Sequence, residues 1–142
     1  MRTLLRSAVI ILLVVVAMQL FPVTRDNPPV SGQLDAPGPI TATLRRSCFD
    51  CHSNETVWPW YSRVAPMSWL VAHDVHEGRE HLNFSTWTTL SPEERKKRFK
   101  EIGEMVERGA MPPGIYTPMH PEARLSLQDI NAVVAWASEN AK

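Results

Sequence analysis

The feature that most constrains this chain is the segment Cys48-Phe49-Asp50-Cys51-His52, which holds the only two cysteines among 142 residues. Two thiols separated by two residues can reach the two vinyl groups of one porphyrin from a single helical turn. The histidine after the second thiol can then present its imidazole to the iron. This spacing is the attachment signature of a c-type haem. It predicts one covalent haem c, held by Cys48 and Cys51, with His52 as the proximal iron ligand.

Two other chemistries use closely spaced cysteines. A Cys-x-x-Cys redox centre favours a βαβ context, and no stretch of this sequence shows the alternation typical of strands. A structural zinc site needs four ligands, usually with a second pair at fixed spacing. The remaining histidines form no such obvious pair: His73, His76, His81 and His120. We therefore expect haem rather than a disulfide or zinc.

Residues 1–23 predict export and a membrane anchor. Arg2 and Arg6 precede an apolar run from Ala8 to Val23, and basic residues before such a run send the following chain across the membrane. The run is near the short end of the roughly 17–25 residues that span a bilayer. An uncleaved anchor is the expectation, with a removed signal peptide as the alternative. We expect a single-pass protein of a bacterial inner membrane, with its C-terminal domain in the periplasm.

The remainder divides into a linker and one domain. Residues 24–39 contain four prolines and two glycines, a density that opposes both helix and strand and predicts a flexible linker. Residues 40–142 are expected to form the haem-binding domain.

The helical signals of this domain predict an all-α fold. Ser91-Pro92-Glu93-Glu94 combines a cap, an N1 proline and a capping box, and Gly109 is placed to end that helix. Ser126 with Asp129 begins a second helix, which carries an apolar stripe. Two further helices are expected, over Met67 to about His81 and over Ile40 to Arg46.

Charge argues against a nucleic-acid partner. The chain has 15 basic and 15 acidic residues, and a nucleic-acid surface needs lysines and arginines clustered on one face. The one dense basic run, residues 95–98, follows two glutamates and is interpreted as a solvated helix face.

Beyond the five-residue motif, the chain resembles the bacterial haem-binding domain family of small membrane-anchored cytochromes. The resemblance rests on separated blocks: Ser47–Thr56, Trp58–Ser62, Glu77–Ser85 with Trp87, Met111–Pro113 and His120–Ala123. It implies a cytochrome c-like helical fold with one haem, and it says little about the physiological role.

Met111 is the predicted distal iron ligand. It follows Gly109, and Pro112 favours an extended backbone at the preceding residue. In cytochromes of this general kind the methionine ligand sits on such a loop, and the resemblance points to the same residue. Met67 and Met105 are interpreted as packing residues. The alternatives for the distal position are Met119, His73, His76 and His120.

Tryptophan and arginine side chains are further candidates for contacts with the haem. Several tryptophans are expected to pack around it, since a flat apolar group suits indole rings: Trp58, Trp60, Trp69, Trp87 and Trp136. Arginine pairs well with carboxylates, so four arginines are candidate partners of the haem propionates: Arg45, Arg46, Arg63 and Arg79.

The predicted function is one-electron transfer, as a carrier rather than an enzyme, with a protein redox partner or a membrane redox complex. The alternative is a haem-based sensor or ligand-binding module whose distal position is labile. A peroxidase-like centre is a further alternative, for which His73 or His76 would supply the distal acid or base.

Overall fold

The computed structural model describes all of residues 1–142 and confirms the all-α expectation. Its only sheet-like contact is an isolated parallel bridge between Gly32 and Thr86. The helices, in chain order, are α1 (Arg2–Met18), α2 (Gly38–Ser47), α3 (Phe49–His52), α4 (Met67–His81), α5 (Pro92–Glu107) and α6 (Leu127–Asn140).

Both predicted helix starts carry a capping box. At the start of α5, the Glu94 backbone N–H donates to Ser91 Oγ over 3.3 Å, and the Ser91 N–H donates back to Glu94 Oε2 over 2.8 Å. Ser126 and Asp129 make the same reciprocal pair at the start of α6. Gly109 adopts a φ of +67° just after α5, a conformation that glycine reaches without a Cβ penalty. The local signals therefore place these helix ends correctly.

The core lies where α5 and α6 pack together and where the start of the domain closes over them. Phe99 is at its centre, with edge-to-face rings of Trp87 at 4.8 Å and Trp136 at 5.1 Å. A second aromatic pair, Phe49 on Phe84, stacks at 5.2 Å and joins α3 to the segment after α4. The apolar core thus reaches directly to the Cys-x-x-Cys-His motif.

The proline-rich segment is irregular up to Pro37, whereas residues 38 and 39 of the expected linker belong to the first turn of α2. The segment also lies against the domain. Gly32 N donates to Ser85 O over 3.0 Å, and Leu34 N donates to Phe84 O over 2.8 Å. The Leu34 side chain is buried in the core. This segment therefore covers part of the domain.

The expectation of a single-pass protein of a bacterial inner membrane, with a periplasmic domain, is wrong. No helix is both long enough and apolar enough to cross a bilayer. The candidate, α1, has 17 residues, which at the usual rise gives a length of about 26 Å, short of the roughly 30 Å of hydrocarbon. Arg2 and Arg6 lie within it, which reduces its apolar length further.

Candidate haem site

One cavity of about 590 Å³ brings the predicted site residues together. Its walls come from α2, α3, α4, α5 and the loop after α5. Cys48, Cys51, His52 and Met111 all line it. The volume falls in the usual range of roughly 300–1,000 Å³ for small-molecule and cofactor sites. Residues 60 positions apart in sequence therefore share one site.

Both thiols of the motif lie on a single turn and are free. The His52 backbone N–H donates to Cys48 O over 2.9 Å, which closes the turn. Burial is the main cause that raises the pKa of Cys48 to about 12 and that of Cys51 to about 11. Catalytic Cys-x-x-Cys centres instead have lowered thiol pKa values. The environment therefore disfavours a thiol–disulfide centre.

The His52 ring is oriented by backbone oxygens of α4 and the residue after it. Its Nδ1 lies 2.8 Å from Gly78 O and 3.1 Å from Leu82 O. Carbonyl oxygens only accept hydrogen bonds, so Nδ1 carries the proton and Nε2 keeps its lone pair. Burial lowers the pKa of His52, which favours the neutral imidazole. A neutral ring anchored through Nδ1 is the form that binds a metal through Nε2.

Gly78 allows α4 to approach the motif this closely. A Cβ at this position would lie 2.5 Å from Cys51 O and 3.0 Å from Cys51 C. Because both atoms belong to the backbone, neither can move aside easily. The glycine is therefore needed for the carbonyl of residue 78 to reach His52.

The methionines separate into two groups. Met105 and Met111 line the cavity, while Met67 and Met119 do not, and Met119 is 54% exposed. The backbone N–H of Met111 donates to Met105 O over 3.2 Å, so the chain turns back at the end of α5. Both methionines therefore line the cavity, but the Met105 Sδ accepts a hydrogen bond from Arg108 over 2.6 Å. Met111 as the iron ligand stays a prediction. Of the histidines named as alternatives, His73 lines the cavity and His76 and His120 do not.

The tryptophans do not surround this cavity. Trp87 and Trp136 pack in the core around Phe99. Trp58 and Trp69 line a second, smaller cavity. Trp60 is 74% exposed. The expectation that indoles line the porphyrin site is therefore wrong, because no tryptophan lines this cavity.

The candidate propionate partners also lie elsewhere. None of the four predicted arginines lines the cavity, whereas Arg98 of α5 does. Arg79 instead donates to Ser53 O over 2.8 Å and to Thr56 Oγ1 over 2.9 Å. Arg98 could have been found from its helical spacing to Ile102 and Met105, which line the same cavity.

Sequence reasoning missed one contact at this site. Asp50 and Tyr116 line the cavity, and the Tyr116 hydroxyl donates to Asp50 Oδ2 over 2.8 Å. Burial first, then the bond to Asp50, raises the pKa of Tyr116. The two residues are 66 positions apart, so no local pattern could have paired them.

The chemistry of the lining fits a haem. Apolar side chains supply a surface for the porphyrin faces: Leu44, Leu82, Phe84, Ile102 and Val106. Two thiols, an imidazole with a free Nε2 and two thioethers supply sulfur and nitrogen donors suited to covalent attachment and to iron. No cluster of three or more histidine, cysteine or carboxylate side chains is arranged to hold a metal ion directly. This donor set suits a porphyrin-bound iron better than zinc.

Comparison with known proteins gives one finding. The model of the family described as haem-binding domain matches residues 13–139. No curated protein and no solved structure matches the chain. The match extends over most of the sequence and includes every residue of the cavity described above. The chain belongs to the haem-binding domain family.

Proposed function

We propose that this protein is a mono-haem c-type cytochrome that carries single electrons between protein redox partners. The observation that carries the proposal is the meeting of Cys48, Cys51, His52 and Met111 in one cavity. Bound there, the haem supplies a one-electron couple between ferric and ferrous iron.

Cys48 and Cys51 would hold the haem covalently. Each thiol adds across one vinyl group: a carbon–sulfur bond forms at one vinyl carbon, and the thiol hydrogen ends on the other. The product is a thioether, with no net oxidation or reduction. Burial keeps both thiols protonated, and it would shelter the finished thioethers from water.

His52 and Met111 would fill the two axial positions. The bonds from Nδ1 to Gly78 O and Leu82 O hold the His52 ring and leave Nε2 free, so that it would bind the iron. A thioether opposite the imidazole favours ferrous iron and raises the reduction potential. With both ligands supplied by the protein, electron exchange needs little rearrangement, which suits a carrier.

A redox protein could approach where the cavity reaches the surface. Ile115 lines the cavity and is 75% exposed. An apolar side chain at that opening would allow close contact with a partner, and a short distance between redox centres favours electron transfer. The partner is accordingly proposed as a protein rather than a small substrate.

The test is an absorption spectrum of the full chain produced with a c-type maturation system, both oxidised and reduced. We expect a low-spin haem that resists extraction by acidified organic solvent, and the weak red charge-transfer band of methionine bound to ferric iron. Met111→Ala should abolish that band, whereas the matched variants Met105→Ala and Met119→Ala should retain it. Extractable haem would contradict covalent attachment, and a band lost only in Met105→Ala would assign the other cavity methionine.

A second function, a haem-based sensor, is favoured by one observation. Met111 lies on an irregular loop rather than in a helix, and a ligand on such a loop can be displaced. A high-spin spectrum that changes promptly on adding carbon monoxide would support the sensor and contradict the carrier.

A further inference from the structure

The hydrogen bond from Tyr116 to Asp50 joins the loop after α5 to the Cys-x-x-Cys-His motif. We propose that Asp50 and Tyr116 are positioning residues, which hold the Met111 loop over the cavity and so keep its sulfur on the iron. The inference rests on the proposed function, because it presupposes that Met111 is the distal ligand.

The Asp50 carboxylate is fixed by the chain around it. Its backbone lies between the two cysteines on α3, and its Oδ1 accepts a hydrogen bond from Val57 N over 2.9 Å. The Thr56 hydroxyl donates to the Asp50 carbonyl oxygen over 2.7 Å. Oδ2 remains available and accepts from Tyr116. These bonds hold the Asp50 side chain, so that its Oδ2 lies within hydrogen-bonding distance of the loop.

The Tyr116 ring is also held in place. It stacks on the His120 ring at 4.1 Å with an interplanar angle of 10°. His120 in turn has its Nε2 2.6 Å from the Tyr61 hydroxyl and its Nδ1 3.1 Å from Glu122 Oε1. These contacts hold the Tyr116 ring with its hydroxyl next to Asp50.

No other hydrogen bond joins this loop to the motif. Within residues 110–119, the backbone bonds run to Met105 at the end of α5 or stay inside the loop, as from Tyr116 N to Pro113 O over 3.0 Å. The bond from Tyr116 to Asp50 is the one side-chain hydrogen bond that the loop makes. Removing it leaves the loop without a hydrogen bond to the motif.

The size of the effect follows from the chemistry of the bond. A half-buried hydroxyl bound to a carboxylate is stronger than a neutral pair, and its loss should raise the population with a displaced Met111 by about tenfold or more. That population exposes the iron, so carbon monoxide should bind ferrous protein faster by the same factor.

The experiment compares haem-loaded full-length variants by two readouts, the ferric methionine band and the rate of carbon monoxide binding. Tyr116→Phe keeps the ring on His120 and removes only the hydroxyl; we expect a weakened band and about tenfold faster binding. Asp50→Asn, which still offers an oxygen acceptor, should retain most of the band. Asp50→Ala should weaken the band at least as much as Tyr116→Phe does.

The matched control is Thr43→Val. It removes a hydroxyl bond to Asp129 Oδ1 of 3.2 Å, and neither residue lines the cavity. It should lower stability without changing either readout. The double variant Tyr116→Phe/Asp50→Ala should be no worse than Asp50→Ala alone, because both changes break the same bond.

The outcomes separate the two proposals. Wild-type protein that shows the band, with Tyr116→Phe unchanged in band and rate, overturns the positioning role and leaves Met111 as ligand. Additive effects in the double variant also overturn it. Wild-type protein without the band overturns both.

Discussion

Two regions bound the haem cavity, and they are held in different ways. The histidine wall comprises α3, α4 and residues 82–84; the methionine wall comprises residues 105–116. In the first, His52 has two backbone acceptors for Nδ1, its carbonyl accepts from Phe84 N over 2.8 Å, and Gly78 brings α4 against Cys51. Every part of the histidine wall is thus fixed by several contacts.

The part of the methionine wall after Gly109 makes few hydrogen bonds to the rest of the domain. After Gly109 the chain forms an irregular loop. The one side-chain hydrogen bond that this loop makes runs from the Tyr116 hydroxyl to Asp50. Ile115 is mostly exposed. His52, the proposed proximal ligand, is therefore held by close packing, whereas Met111, the proposed distal ligand, lies on a loop held by one side-chain hydrogen bond and by the stacking of Tyr116 on His120. The same kind of substitution should therefore cost more in the histidine wall than in the methionine wall.

The largest contrast is expected for deletion of an apolar side chain. Phe84 is 1% exposed and stacks on Phe49, so Phe84→Ala should lower the free energy of unfolding by about 3–5 kcal/mol. Ile115→Ala, at a mostly exposed position, should cost less than about 0.5 kcal/mol. Denaturant unfolding of the haem-loaded proteins measures both. Equal losses of unfolding free energy in Phe84→Ala and Ile115→Ala would contradict the view that the histidine wall is packed more tightly than the methionine wall.

A smaller contrast is expected for adding one methyl group. Gly78→Ala would push a Cβ onto the Cys51 backbone, an overpacking that costs about 1–3 kcal/mol and outweighs the gain of up to about 1 kcal/mol in helix propensity. Gly114→Ala has open space around it and should be nearly neutral. The yield of haem-attached protein and its unfolding midpoint report the result. A stable, fully loaded Gly78→Ala protein would show that α4 can shift.

The next contrast concerns guanidinium bonds. The Arg79 guanidinium donates hydrogen bonds to Ser53 O and to Thr56 Oγ1, just after the motif. A lysine ammonium lacks the planar set of donors that reaches both acceptors. Arg79→Lys should therefore cost about 1–2 kcal/mol, whereas the exposed Arg108→Lys in the methionine wall should leave stability within about 0.5 kcal/mol. Thermal unfolding compares the two. A larger loss at Arg108 would reverse the ranking of the walls.

The smallest effect is expected away from both walls, at the start of α6. Hydrogen bonds from Ser126, and then the nearby Arg46, lower the pKa of Asp129 from 3.8 to about 2. As the pH falls, the Asp129 carboxylate is therefore protonated in the unfolded chain at a higher pH than in the folded protein. The stabilisation that the ionised carboxylate gives to the fold is present above about pH 4 and is lost as the pH falls from about 4 to 2.

Asp129→Asn tests this expectation. The gap in unfolding free energy between wild type and variant should narrow across that pH range, with the haem spectrum of both proteins the same at neutral pH. A gap that stays constant with pH would mean that the charge of Asp129 contributes nothing.

Much of the fold was predictable because its signals are local. The Ser91 and Ser126 capping boxes depend on residues three positions apart, and Gly109 ends α5 through its own backbone conformation. The prediction of a membrane anchor was wrong because hydropathy indicates only that a run is apolar. The length of the helix, 17 residues in α1, decides whether it can span a bilayer.

The haem motif was determined by the sequence itself, because two thiols and an imidazole on one helical turn need no distant partner to define their spacing. What surrounds the motif was decided only by tertiary structure. The cavity is lined by Met105 and Met111 rather than Met119, and by Arg98 rather than the four predicted arginines. It also joins Tyr116 to Asp50 across 66 positions. Such choices depend on how helices pack, since packing sets which side chains of separate segments share one space.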